Sequence, residues 1–395
     1  MMNEKTDIPK LRFLGSSSDW ETSKAASIFQ INAGGDVPKD NVSQEKTGDF
    51  QYPIFANASE NKGFYGYSEK YKITPPALTI AGRGVYIGIA HLRLEKFYPI
   101  VRLLVLKPKH KQKIDLGFFE YAFNNLNIFI ESTGVPQLTA PQLSTYVISY
   151  PTLPEQQKIA TFLTAVDRRI ELLKQKKEKL EAYKKGVMQQ LFSCQIRFKQ
   201  DDGSVFPEWE EKKLGEVAKF SKGKGIFKSD ISESGELKCI RYGQLYTEYG
   251  EVIDQVVSRT ECKPSTLILS EANDVIIPSS GETQIDIARA ACVLKSGIAL
   301  GGDLNIIRSP LNGVFLSFYL NHRRKHQIAK MAQGISVVHL YNSQLVHLEI
   351  EIPCDEEQGK IVSFLRSLNE ITEKLTFQIN QTQTWKKGLL QQMFI

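Results

Sequence analysis

The chain lacks most of the features that announce chemistry. Its five cysteines (Cys194, Cys239, Cys262, Cys292 and Cys354) are scattered, odd in number and form no C-x-x-C pair. That usage suggests neither a disulfide framework nor a zinc site, and fits reduced thiols in a cytoplasmic protein. No run comes near the roughly 18 apolar residues of a membrane-spanning helix. The start, Met1-Met2-Asn3-Glu4-Lys5, is polar and leads into no apolar run, which argues against a signal peptide. There is no G-x-x-x-x-G-K-[ST] phosphate loop, and Ser221-Lys-Gly-Lys-Gly225 lacks that spacing. Thr74-Pro75-Pro76-Ala77 lacks the polar acceptor and stacking ring of an amino-group methyltransferase tetrad, and neither H-E-x-x-H nor G-x-S-x-G occurs. His322 and His326 have a spacing that can hold a metal, but Arg323, Arg324 and Lys325 between them oppose a cation. A solvated or phosphate-facing basic helix is expected there.

An excess of one charge sign is also scarce, with 50 basic against 44 acidic residues. The net charge of +6 divides into about +3 for residues 1–152, about +4 for 153–193, about −1 for 194–352 and about zero for 353–395. A basic balance favours polyanionic partners, but this one is mild.

What is present is a long repeat. Residues 151–193 recur without a gap at 353–395, an offset of 202, with fifteen of 43 positions identical. Glu155-Gln156 becomes Glu357-Gln358, Phe162-Leu163 becomes Phe364-Leu365, and Lys184-Lys185-Gly186 becomes Lys386-Lys387-Gly388. A weaker match links Leu11-Arg12-Phe13 to Ile196-Arg197-Phe198, Trp20-Glu21 to Trp209-Glu210, and Leu138, Gln142, Leu143 and Ile148 to Leu340, Gln344, Leu345 and Ile350. The period exceeds the roughly 20–50 residues of solenoid units and is domain-sized. The chain is therefore a tandem duplication: residues 1–152 and 194–352 form divergent domains, each followed by a helical spacer, 153–193 and 353–395.

Within the spacers, Ile159, Val166, Leu173, Leu180 and Val187 fall seven apart, as do Ile361, Leu368, Leu375, Thr382 and Leu389. A heptad row makes one apolar seam, which suits coiled-coil packing. Each helix should run about 35 residues, or roughly 50 Å. The seams match in length, so the expectation is an antiparallel coiled coil with a domain at each end. Glu155 and Glu357, just past Pro151 and Pro353, suit the positive end of a helix dipole.

The divergent domains read as mixed α/β. In the first, strands are expected at 77–81, 85–89 and 99–106, with a helix over 116–127. In the second, strands are expected at 274–278, 288–294 and 304–308, with a helix over 314–332. Polar and aromatic groups cluster on the intervening loops: Asn57, Ser59, Asn61, Lys62, Tyr65, Arg83 and Tyr86 in the first half, and Arg241, Tyr242, Gln244, Tyr246, Ser279, Ser280 and Gln284 in the second. Arginine can pair with guanine, and asparagine or glutamine with adenine, through paired bonds in the major groove. Any one of these residues can equally be a turn or a satisfied surface group.

The Pro-x-x-x-Glu-Gln-x-Lys-Ile-x-x-Phe-Leu pattern at 151–163 and 353–365 carries a resemblance. So do Tyr/Trp-Lys-Lys-Gly-x-x-Gln-Gln-x-Phe at 183–192 and 385–394, and Trp209-Glu-Glu-Lys-Lys-Leu-Gly215 at the entrance to the second domain. Over essentially its whole length the chain resembles the specificity subunits of type I restriction-modification systems. The first entrance, Trp20-Glu-Thr-Ser-Lys-Ala-Ala26, departs from the pattern by lacking Lys-Leu-Gly. The resemblance implies two target recognition domains, each reading one half of a bipartite double-stranded DNA sequence. It implies helices that act as ruler and platform for two methyltransferase subunits, and restriction subunits recruited through that complex for defence against foreign DNA. It also implies that S-adenosylmethionine, ATP and Mg2+ serve those partners, that this chain binds no cofactor or metal and catalyses nothing, and that no membrane is involved. Two other readings stay open: a DNA-modifying enzyme with an unfamiliar site, and a coiled-coil scaffold that reads no DNA.

Overall fold

The heptad seams become two continuous helices, Leu153–Phe192 of 40 residues and Asp355–Met393 of 39. At 1.5 Å per residue each is about 60 Å long, somewhat more than the apolar rows alone suggest. The structure is a computed structural model and describes residues 8–395 apart from 17, 39, 40, 59, 129–135 and 335. The chain divides into two compact units, one of residues 1–175 with 376–395 and one of residues 176–375. Both long helices therefore contribute to both units. Among the described residues no helix is long and apolar enough to cross a membrane.

In the first unit, a four-stranded antiparallel sheet has the order Phe29–Ala33, Leu104–Pro108, Ala77–Ile80, Ala90–Arg93. A three-stranded sheet of Phe64–Ser68, Tyr52–Phe55 and Tyr98–Pro99 accompanies it. Helix Leu116–Asn124 starts at Asp115, whose side chain accepts from Phe118 N, and it buries Phe118, Phe119 and Phe123. The second unit repeats the plan with a larger sheet. Lys219–Lys222, Leu304–Arg308, Asp274–Pro278, Ala291–Val293 and Val252–Ile253 lie in that order, the last strand parallel to its neighbour. A short strand pair opens and closes each domain: Glu21–Lys24 with Val147–Tyr150, and Glu210–Lys213 with Glu349–Ile352.

Three expected elements differ. The run expected as one strand at 99–106 is Tyr98–Pro99 and Leu104–Pro108, parted by a turn in which Val101 and Arg102 take positive φ. Residues 85–89 form a turn rather than a strand, because Gly84 and Gly88 take positive φ and Val85 is 89% exposed. Gly88 N bonds back to Ala81 O, so 81–89 is the loop joining two neighbouring strands. The single helix expected over 314–332 is Gly313–Tyr319 and Lys325–Met331, joined through a π-helical turn at Leu320–Arg324. Such turns widen a helix by one residue and re-aim its side chains.

The repeated signatures are joints. Arg12 grips Glu155 with both Nε and Nη2, and Arg197 grips Glu357 in the same way. Bidentate guanidinium–carboxylate pairs fix geometry strongly, so each arm is tied to the start of the helix that follows its domain. Gln156 is fully buried; its Oε1 accepts from Asp115 N at 2.8 Å, and its Nε2 donates to Pro151 O at 2.8 Å and Lys113 O at 3.1 Å. Gln358 accepts from Asn312 N and donates to Pro353 O, both at 2.9 Å. The helix ends close the other side. Phe394 lies 5.3 Å from Phe118 and 6.4 Å from Trp20, while Phe192 lies 6.1 Å from Phe315 and 5.7 Å from Tyr319. Lys386 sits over the Tyr121 ring and Lys184 over Phe318.

Each unit is thus closed by the start of one long helix and the end of the other. In the first, Ile159 and Leu163 share a core with Leu389 and Met393, and Phe162 meets Trp385 at 5.9 Å. In the second, Ile361 and Leu365 share a core with Met188 and Phe192. Of the seam residues, Ile159, Val166, Ile361, Leu368, Leu375 and Leu389 are buried, and Leu173, Leu180 and Val187 are half-buried. Replacing Gln156 with alanine leaves a buried N–H and two carbonyls unpaired, at about 1–3 kcal/mol per group before any relaxation. Gln156→Ala and Gln358→Ala should each lower the denaturant midpoint of unfolding, and an unchanged midpoint would refute the joint.

Candidate nucleic-acid interface

The loop residues separate into those that face solvent and those used inside the fold. In the first domain Asn61, Lys62 and Tyr65 are exposed, and Tyr86 is 37% exposed. Asn61 and Lys62 adopt left-handed backbone (φ 46° and 54°), a cost that non-glycine residues bear at turns and functional sites. Asn57 is spent internally: its Oδ1 accepts from Gly82 N at 2.8 Å and its Nδ2 donates to Val101 O. It holds together the 82–84 and 101–102 turns. Arg83 is half-buried against Gln137, to whose Oε1 its Nη2 donates at 3.1 Å, and its Nε is buried without a partner among the described residues. Ser59 lies outside the described residues.

In the second domain Tyr242 and Gln284 are exposed, with Gln284 donating to Ala332 O at 3.3 Å beside the Thr283 helix cap. Gln244 is buried and bridges Arg241 N and Ser258 Oγ. Ser279 is buried too, while the half-buried Arg241 has an Nε without a partner among the described residues. Tyr246 donates to Ser280 O at 2.9 Å, and its burial pushes the phenol well above its usual range, so it stays a neutral donor. Ser280 Oγ lies 3.4 Å from His339 Nδ1. His322 faces Glu251 at 3.4 Å and stacks on Phe192, so it belongs to the joint at the end of the first long helix.

Each domain carries a polar cleft. The second domain's cleft, about 640 Å³, brings Tyr242, Tyr246 and Ser280 together with Arg289, Asp286 and Lys325. The first domain's cleft, about 580 Å³, contains Asn61 and Lys62 along with Lys46, Tyr67 and Arg93. Lys325 comes from the basic helix that the sequence marks as solvated or phosphate-facing, whereas Arg93, Arg289 and Lys46 carry no such mark. Arg93 lies in a strand where alternation alone does not tell an inward charge from an outward one. Arg289 had a signal in the row of small apolar residues around it.

Two diverged mixed α/β modules, each with its own polar cleft and each closed by pieces of the same two helices, define a two-headed recognition protein. The chain belongs to the family described as type I restriction modification DNA specificity domain, whose model matches residues 17–182 and 207–382. One match falls on each half, so the chain carries two such specificity domains. A putative MjaX specificity subunit of Methanocaldococcus jannaschii is 26% identical over 98% of this chain and 94% of its own length. A putative specificity subunit of Mycoplasma pneumoniae, S.MpnORF507P, is 31% identical over 34% of this chain, a match spanning only 36% of that relative. A crystal structure of the Mycoplasma genitalium S subunit shares the fold with a TM-score of 0.63, at 18% identity over 98% of this chain and 99% of its own.

Proposed function

We propose that this chain is the non-catalytic reader of a type I restriction-modification complex: each domain recognises one half of a bipartite DNA target, and the long helices carry two methyltransferase subunits. The helices run together as an antiparallel coiled coil that sets the spacing between half-sites. Adenine methylation with S-adenosylmethionine, and Mg2+- and ATP-dependent cleavage of foreign DNA, belong to the partner subunits in the cytoplasm. The observation that carries this reading is the double joint. Identical Glu-Gln and Lys-Lys-Gly-x-x-Gln-Gln-x-Phe elements hold two domains whose sequences barely align between their shared landmarks. A constant mount with variable heads is what interchangeable recognition requires. Incubated with DNA and S-adenosylmethionine, the purified chain alone should transfer no methyl group, and transfer should begin when type I methyltransferase subunits are added. Transfer by the chain alone would establish the enzyme reading instead.

Base reading is assigned to the exposed loop residues Asn61, Lys62, Tyr65, Tyr86, Tyr242 and Gln284, with Arg83 and Arg241 at the loop bases. A lost bidentate base contact costs roughly 1–3 kcal/mol and relaxes one position. Arg83→Ala and Gln284→Ala should therefore each broaden the methylated sequence at one base. Lys177, which pairs with Glu181 along the first long helix, should at most weaken binding evenly when replaced by alanine. Equal loss of affinity in all three variants, with base preference intact, would contradict the loop assignment.

A further inference from the structure

Arg93 is an unusual cation. Only 4% of the residue is exposed, yet it makes no ion pair with a carboxylate among the described residues. Its Nε donates to Thr79 Oγ1 at 2.9 Å and its Nη2 to Lys62 O at 2.6 Å. Its guanidinium lies 3.6 Å from the centre of the Phe55 ring. Its Nη1 has no protein hydrogen bond among the described residues. Glu95 lines the same cleft and Glu120 is near enough to be felt, but neither closes on it; burial dominates and pushes the guanidinium down to about 10. Buried charges are ordinarily paired, because an uncompensated one is costly to desolvate.

The cleft around Arg93 explains the missing counter-charge. Lys46, Lys62 and Asn61 line it with Tyr67 and Phe64. The left-handed backbone at Asn61 and Lys62 is what turns the Lys62 carbonyl onto Arg93. The site is thus a preformed pocket with a cationic floor and with two lysines and one carboxylate, Glu95, at its walls, a net positive lining. A neutral base edge would not offset the desolvated guanidinium, whereas a singly charged phosphodiester would, accepting from the Nη1 that no described protein group takes.

We propose that this cleft is a phosphate clamp: Arg93 holds one backbone phosphate of the DNA half-site read by the first domain, and so sets the register of that domain on the duplex without reading a base. This rests on the DNA-reading function proposed above. Phosphate contacts fix orientation and carry no sequence information of their own.

The test uses the full chain assembled with methyltransferase subunits, and DNA carrying its mapped target. Arg93→Met keeps the side-chain bulk and removes the charge, a replacement that buried ionic sites often tolerate. The logarithmic salt dependence of binding should become shallower by about 0.9, the amount lost with one phosphate contact. Base preference should stay the same. In parallel, neutral methylphosphonates are placed one at a time along the first half-site. One position should reproduce the shallower slope with the unaltered chain and have no further effect with Arg93→Met. This coincidence also separates a DNA phosphate from free inorganic phosphate, which would not depend on position. An unchanged slope in a folded Arg93→Met complex, or a change in base preference, would overturn the clamp. If Arg93→Met does not assemble, the methylphosphonate scan decides alone: no sensitive position in that half-site overturns it. Absence of any sequence preference in the unaltered complex would instead sink the underlying DNA-reading function.

Discussion

Exchanging residues 20–133 for the equivalent stretch of a relative should rewrite one half of the methylated sequence and leave the other half as it was. The expectation follows from where the cores lie. The first domain is packed around Trp20, Phe29, Phe118, Phe119 and Leu106, closed by Ile159, Leu163, Leu389, Met393 and Phe394. The second is packed around Phe315, Leu316, Phe318 and Tyr319, closed by Met188, Phe192, Ile361 and Leu365. Among the described residues, neither of these two core clusters includes a residue of the other domain. The helix segments that receive the transplanted domain stay in place, so it needs only the aromatic and Asp115-like groups that meet them. Affinity for the retained half-site should remain within a few-fold, while methylation at the old first half-site should disappear. Adenine maps of the two complexes show this directly. A change in both halves, in a complex that still assembles, would mean that the domains read jointly.

Inserting four residues after Lys177 should lengthen the unspecified gap between half-sites by one or two base pairs. Four residues add roughly 6 Å of helix, against about 3.4 Å per base pair. Lys177 lies between the half-buried Leu173 and Leu180 and belongs to neither domain core. The chain also divides into its compact units next to it, between Gln175 and Lys176, so the insertion falls at the edge of a unit rather than inside one. Four residues nearly complete a turn, which locally unwinds a coiled coil rather than destroying it. An active complex with an unchanged gap would show that the partner subunits fix the spacing.

The frame was legible in the sequence because it is written twice. A gapless repeat with heptad rows determines both long helices, and the strands at 274–278 and 304–308 appear at the positions their apolar runs indicate. What the repeat could not reveal was the job of its own signature. Glu155 and Glu357 suit a helix dipole, but their partners Arg12 and Arg197 are more than 140 residues away in sequence. The 85–89 stretch alternates like a strand; two glycines with positive φ and an exposed valine make it a turn. The loops were the least legible part. The amide groups that bond base edges bond backbone equally well, and Asn57 and Gln244 are turned inward for that reason, while Ser279 is simply buried. Arg93 was invisible for the opposite reason: a charge in a strand reads as solvent-facing until the sheet shows which way it points.

The central claim is that this chain chooses the DNA sequence and its partners do the chemistry. Mapping methylated adenines across the host genome, with the gene present and deleted, tests it most directly. The account predicts one bipartite motif, two short specified halves flanking a fixed gap, that is methylated in the presence of the gene and wholly unmethylated in its absence. An unchanged methylation map after deletion, in cells whose type I methyltransferase subunits are still made and active, would contradict it.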